Sequence, residues 1–249
     1  MNSKIIIAID AMGGENAPCK NIEGVSLFLK KNKKTNDVFF NLFGNENLIK
    51  KEISKYKISN DTYKIFPTSS IVSDEETPLT AIKNSKDSSM WNSINSQVVS
   101  NSNITLSAGN TGVLFVISRM LLKTIEAVSK PALAGLWPNK QNMNVVLDLG
   151  ANVECDENNL VDFSEMGAAL HKALFPEETP KVALLNIGSE EIKGTESLKK
   201  AYAKLKNISV HGDFEFNGFI EGNKITNGES NVIVTDGFTG NIALKTAEG

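Results

Sequence analysis

Short runs of β-branched and aliphatic residues alternate along the chain with longer stretches whose apolar positions recur every three or four residues. That is the pattern of βαβ units on a mostly parallel sheet. Strands are predicted near 4–10, 37–43, 62–66, 103–108, 132–137, 144–149, 181–187, 214–220 and 230–236. Helical periodicity fills most of the intervals, at about 17–34, 46–56, 159–175 and 190–206, each with an apolar stripe and a lysine-rich outer face. Over 79–99, Leu79, Ile82, Met90, Ile94 and Val98 share one face with Trp91 beside them, which predicts one helix packed on the sheet. The most apolar stretch, Val113 to Ile125, is broken by Arg119 and Lys123. It falls short of the roughly 18 residues that a spanning helix needs, so a buried helix is expected.

Composition narrows the reading. The 249 residues suffice for one α/β domain over 1–249, which can divide into two lobes around a cleft. Lys+Arg 26 against Asp+Glu 29 leaves a formal charge of −3 with no basic block, so nucleic acid is not expected as a partner. Cys19 and Cys155 stand far apart and form no metal-spaced pair, which favours a reduced cytoplasmic setting. The apolar run Ile5 to Ile9 is cut off by Asp10 before it could serve as a signal-peptide core, so no export is expected. There is no 20–50-residue repeat and no low-complexity linker.

Five strands run directly into small polar loops. They are Asp10-Ala11-Met12-Gly13-Gly14-Glu15-Asn16, Ser107-Ala108-Gly109-Asn110-Thr111-Gly112, Asp148-Leu149-Gly150-Ala151-Asn152, 186–194 with Asn186 and Gly188, and 236–241 with Asp236 and Asn241. In doubly wound sheets the loops after the carboxyl ends of parallel strands line the ligand crevice, so these five are expected on a common edge or cleft. Taken singly, each glycine also serves a tight βα turn and each Asp or Asn also caps a helix.

The loop 107–112 lies between a strand and an apolar helix, where free N–H groups and the positive helix end favour an anion, with phosphate the natural choice. It lacks the Gly-Lys-Ser/Thr ending of a nucleoside-triphosphate loop, and Gly13-Gly14 lacks the third glycine of the dinucleotide fingerprint. Lys83, Lys86, Lys193 and Lys245 could bring positive charge to such an anion, though a solvated surface position is the simpler role for each. Asp10, Asp148 and Asp236 could hold a hard cation only if they converge; hydrogen bonding to loop amides is the simpler role, and no metal is expected. His171, on a helical stretch, and His211, in a loop, are too few for a zinc site with these cysteines. Ser107 lacks the Gly-x-Ser-x-Gly elbow of a triad nucleophile.

In their order, these motifs resemble the bacterial phosphate acyltransferase family, which makes acyl phosphate from acyl carrier protein thioesters for phospholipid synthesis. The resemblance rests on 7–14 with Ala17-Pro18, Ser107 to Gly112, 147–153, Leu185 to Gly188 with Glu190 to Gly194, and Asp236-Gly237-Phe238 with Gly240-Asn241 and Leu244-Lys245. It spans essentially the whole chain. It implies a three-layer α/β/α architecture with a mainly parallel sheet, like the isopropylmalate dehydrogenase and phosphotransacetylase folds. It also implies a cytoplasmic homodimer working at the membrane surface, with acyl carrier protein and inorganic phosphate as substrates, no cofactor, and a membrane-surface acyltransferase taking up the acyl phosphate. Two departures stand out. Ala81-Ile82-Lys83 replaces an expected Ala-Leu-Arg, turning a bidentate contact into a point charge, and relatives continue beyond Gly249 into amphipathic helices and a final strand-helix unit. Weak membrane binding is expected of these 249 residues, which contain no strongly basic amphipathic helix with a broad apolar face.

The chemistry suits the inventory. Phosphate is already nucleophilic and a thiolate is a fair leaving group, so acyl transfer needs positioning rather than a triad. Candidate donors to phosphate and to the developing oxyanion are Asn110, Thr111, Asn152, Asn186 and Asn241, with Lys193 or Lys245 offsetting the repulsion of approaching charges. Asn110, Asn186, Lys193 and Lys245 are the candidate catalytic set. Asp10, Gly13, Gly14, Ser107, Gly109, Thr111, Gly112, Asp148, Asn152, Gly188, Asp236 and Asn241 are the candidate binding set. The lysine-rich face with Lys199, Lys200, Lys204 and Lys206 is a candidate dock for the acidic carrier protein. Two other readings stay open at this point: a dehydrogenase or phosphotransacetylase-type enzyme using CoA or a nicotinamide, and a silent module that binds carrier protein or an acyl ligand.

Overall fold

The structure is a computed structural model describing residues 4–32, 37–73, 75–210 and 212–249, apart from the side chains of residues 78, 79 and 84. The expectations for His211 and for the Leu79 side chain lie outside what is described. By internal contacts the chain forms two compact units, 1–123 and 124–249.

In the first unit, strands β1 (Ile5–Asp10), β2 (Val38–Gly44), β3 (Tyr63–Pro67) and β4 (Ile104–Leu106) form a wholly parallel sheet in the order β3-β2-β1-β4. Period-2 alternation sends Ile9, Phe40 and Leu42 into one core with Ile22 and Val25 of α1 (Cys19–Lys31) and Ile49 and Ile53 of α2 (Glu46–Tyr56). A second core joins Met90 and Ile94 of α4 (Ser89–Val98) to Val113 and Ile117 of α5 (Thr111–Leu122), with Trp91 packed against it. The single helix expected over 79–99 is two, α3 (Pro78–Asn84) and α4. The break falls at Ser85–Ser88 because the Ser88 hydroxyl accepts from the N–H of Trp91 at 3.1 Å and starts a new helix there. Serine offers the backbone that alternative, and apolar periodicity does not register it.

In the second unit, β5 (Gly135–Pro138), β6 (Met143–Leu147), β7 (Lys181–Asn186), β8 (Glu215–Glu221) and β9 (Val232–Val234) form a sheet ordered β5-β6-β9-β7-β8. Only the β5–β6 pair is antiparallel. The mainly parallel arrangement holds, divided between two sheets. Helices α6 (Glu157–Leu174) and α7 (Glu196–Ile208) cover one face of the second sheet, with Leu160, Phe163, Ala201 and Leu205 meeting Val145, Val182 and Val232. On the other face Val146, Leu185 and Ile233 pack with Ile225 of a 3-10 turn (Gly222–Asn227) and Leu244 of α8 (Gly237–Glu248). Helix α7 begins later than its apolar period because the Thr195 hydroxyl caps it by accepting from Leu198 N–H. Among the described residues no helix is long and apolar enough to cross a membrane.

Gly167 sets how closely α6 lies on the sheet. A Cβ there would sit 2.7 Å from Val232 Cγ1 and 2.8 Å from a Leu147 methyl. Gly167→Val should therefore cost about 1–3 kcal/mol of stability by overpacking, read as a lower urea midpoint with an unchanged slope.

Candidate functional site

Strand order decides which loops meet. In the first sheet the chain runs outward from β1 to β2 and β3, then returns to place β4 on the other side of β1. That reversal opens a crevice at the carboxyl ends of β1 and β4, the position where α/β sheets hold ligands. The loops 10–16 and 107–112 leave from there. In the second sheet β6, β9 and β7 are consecutive neighbours, so the loops 148–152, 236–241 and 186–194 leave side by side. The five loops thus form one cluster of two and one of three, each within its own unit.

In the first cluster Asp10 is 1% exposed. The Ser107 hydroxyl donates to its Oδ2 at 2.7 Å and itself accepts from Gly109 N–H at 3.1 Å. Asp10 Oδ1 is buried without a hydrogen-bond partner among the described residues. Burial lifts the carboxyl above its ordinary pKa, with the Ser89 and Ser107 hydroxyls opposing. Only glycines let the two loops touch: a Cβ on Gly13 would fall 2.9 Å from Gly109 N, and one on Gly14, whose φ is +87°, 2.6 Å from the Ala108 carbonyl oxygen. Gly109 has no such φ; Met90 Cε, 2.9 Å from its would-be Cβ, is what restricts it. Asn21 of α1 fixes the first loop by donating to the carbonyls of Ala11 at 2.9 Å and Gly13 at 3.0 Å. Its place in a helical stretch gave the sequence no reason to single it out.

Asn110 is the N-cap of α5. Its Oδ1 accepts from Val113 N–H at 3.1 Å while its Nδ2 donates to the Glu76 carbonyl at 3.1 Å. Thr111 and Gly112 form the exposed first turn, where N–H groups point away from the helix.

In the second cluster Asp148 is fully buried and receives five donors. Oδ1 accepts from the N–H groups of Leu133, Gly150 and Ala151, and Oδ2 from the N–H and Nδ2 of Asn152, all between 2.7 and 3.2 Å. Both oxygens are committed to protein donors, which makes Asp148 a positioning residue for its loop. Asn152 Nδ2 also reaches the Pro131 carbonyl at 2.8 Å. Gly240 of α8 abuts the Asp148 carbonyl, and Asn241 Nδ2 lies 2.9 Å from where a Gly150 Cβ would be. Asp236 caps α8, accepting from Thr239 N–H at 2.8 Å and its hydroxyl at 3.0 Å. Asn186, 8% exposed, donates to the Lys193 carbonyl at 3.1 Å and accepts from Ile187 N–H at 2.8 Å. Close beside this cluster, burial first and then Asp148 push the Cys155 thiol up to about 11, and it donates to the Asn152 carbonyl. A thiol so held is a poor nucleophile at neutral pH.

The lysines are engaged on the surface. Lys193 pairs with Glu190 at 2.9 Å over Gly188, and Lys245 with Glu248 at 2.7 Å in the last turn of α8. On α7, Lys199, Lys204 and Lys206 face Glu196, Glu157 and Glu191, which blunts the appeal of that helix to an acidic partner.

Comparison with known proteins places these loops in context. The profile of a family described as "Fatty acid synthesis protein" matches residues 5–249. The phosphate acyltransferase of Pelagibacter ubique is 54% identical over 248 residues, covering 99% of this chain and 73% of that protein. That of Caulobacter vibrioides is 39% identical over 249 residues, covering 100% of this chain and 68% of that one. Among solved structures, the EutD phosphotransacetylase from Staphylococcus aureus superposes with a TM-score of 0.69 at 14% identity, over 99% of this chain and 83% of that one. A phosphotransacetylase from Streptococcus pyogenes gives 0.69 at 12% identity over 98% and 81%. These two likenesses establish the fold.

The two strand-end aspartates should respond oppositely to amide substitution. Because the folded pKa of Asp10 is raised, its protonated form favours folding; that contribution is complete below the unfolded pKa and is lost as pH rises through the folded value. Asp10→Asn should therefore leave stability at pH 7 equal to or above wild type, with the gap in urea midpoint closing towards acid pH. Asp148→Asn sets an amide NH2 against N–H donors and should cost about 2–3 kcal/mol at pH 7.

Proposed function

The chain belongs to the fatty acid synthesis protein family, among its phosphate acyltransferases, and on that premise we propose that it moves a fatty acyl group from an acyl carrier protein thioester to inorganic phosphate. A hydrogen phosphate oxygen attacks the thioester carbonyl carbon, the new C–O bond forms, the C–S bond breaks, and the carrier thiolate leaves and takes up, through solvent, the proton that the phosphate gives up. Acyl phosphate is the product, a mixed anhydride suited to a following acyl transfer at a membrane surface during phospholipid synthesis.

The observation that carries this reading is the crevice between β1 and β4, where Gly13 meets the backbone of Gly109 and Gly14 that of Ala108 beside the first turn of α5. Such a place offers N–H groups and the positive helix end to a phosphate. In this reading Thr111 and Gly112 hold the anion. Asn110 fixes the turn through its cap and Asp10 fixes Ser107. In the second unit Asn186, Asn241 and Lys193 stand at the strand-end loops as donors and charge. Asp148 and Asn152 keep that loop in place.

The reaction is tested by mass spectrometry of acyl carrier protein thioester incubated with the protein with and without phosphate, with no nucleotide or metal added. Acyl phosphate should form only with phosphate. Equal loss of thioester without it would mean hydrolysis, and strict use of acyl-CoA would favour phosphotransacetylase-type chemistry. Gly109→Val, which drives a branched side chain into Met90 and Ser107, should lower turnover by roughly two to three orders of magnitude. Asn110→Ala should do the same while costing only about 1 kcal/mol of stability as a lost cap. Lys50→Ala, which removes only an exposed helical ion pair, should leave turnover unchanged.

A further inference from the structure

From the second unit we infer that the groove along α8, bounded by Trp137, Leu185, Leu198, Ile225, Ile242 and Ala243, holds the hydrocarbon chain of a long-chain acyl substrate. The inference rests on the acyl-transfer reading above and adds where the chain lies and how long it can be.

The groove encloses about 760 Å³, well within the usual range for small-molecule sites. Its floor is made by Leu185 and Ile225, 7% and 5% exposed, which belong to the core on that face of the sheet. Its wall is one stripe of α8, where Thr239, Ile242, Ala243, Thr246 and Ala247 recur at helical spacing. Ile242 on that stripe is 53% exposed, an apolar side chain left facing water at the groove. Two of its polar side chains stand at strand ends. Asn186 and Asp236, at the carboxyl ends of β7 and β9, line the same groove. A reacting head would sit at the strand-end loops while its tail lies along the helix.

The dimensions select a chain length. From Asp236 to Ala247 is eleven helical steps, which at ~1.5 Å each span about 16 Å. One leaflet of a bilayer, half of a hydrocarbon core about 30 Å thick, is nearly the same depth. A membrane-type fatty acyl chain therefore fits the groove end to end, whereas an acetyl group would leave its apolar walls uncovered.

The test uses cis-parinaric acid, a fluorescent 18-carbon fatty acid, with the 249-residue protein. Competing octanoate, laurate and palmitate should displace it with affinity rising roughly fourfold per added CH2 until the groove is filled. Ala243→Trp blocks the middle of the groove and should weaken probe binding at least about tenfold. Ala247→Trp, near the end of an exposed helix where folding is not at stake, should lower affinity for palmitate while sparing octanoate. Unchanged binding in both variants, or no binding by the wild-type chain, overturns the assignment. So does loss of self-association in sedimentation caused by either variant, which would give the groove to a second copy, or a chain extended to the length of its relatives that no longer binds the probe. Probe binding that follows these expectations without any acyl phosphate in the transfer assay would instead remove the reaction proposed above and leave the groove standing.

Discussion

The carboxylate of Asp148 is the constraint around which the second unit is arranged. Five N–H donors from Leu133, Gly150, Ala151 and Asn152 converge on two oxygens in a place closed to water. A turn this tight leaves several amides pointing inward at once, and a single carboxylate satisfies them where water cannot. With its loop held, Asn152 closes on the Pro131 carbonyl, and α8 can approach so nearly that positions 237 and 240 admit only glycine. The groove wall formed by α8 and the strand-end cluster both follow from that approach.

Asp10 and Asp236 end their strands in the same way and do different things. Asp236 caps a helix at the surface, as its sequence context suggests. Asp10 is buried with one oxygen committed to Ser107 and the other without a partner, and its raised pKa is the consequence of desolvation. A carboxylate kept in such a place costs stability, and sites with this kind of cost lie disproportionately where chemistry is done. Its position under the glycine-lined crevice of the first sheet agrees with that pattern.

The two clusters also differ in the surface each offers. The first has close backbone approach and a helix start, suited to a small anion; the second has amide side chains at the head of an apolar groove, suited to a long neutral tail with a polarised carbonyl.

The sequence by itself determined the nine strands found among the described residues and the strand-end loops, because alternation of apolar residues and the glycines that follow are local signals with local causes. It also determined the family, because the order of the motifs is a property of the chain. The break between α3 and α4 was not legible, since a buried serine cap competes with the apolar period only once Ser88 is in place. Helix α8 went unlisted for a different reason: its buried positions are Gly237 and Gly240, so its core-facing side carries few apolar side chains to register as a period. Tertiary structure alone decided that the five loops group as two and three, because that follows from strand order in each sheet. It alone separated the three aspartates into an organiser, a buried group with a raised pKa and a cap. Burial and the number of donors around a carboxylate are set by residues far away in sequence, and no local pattern records them.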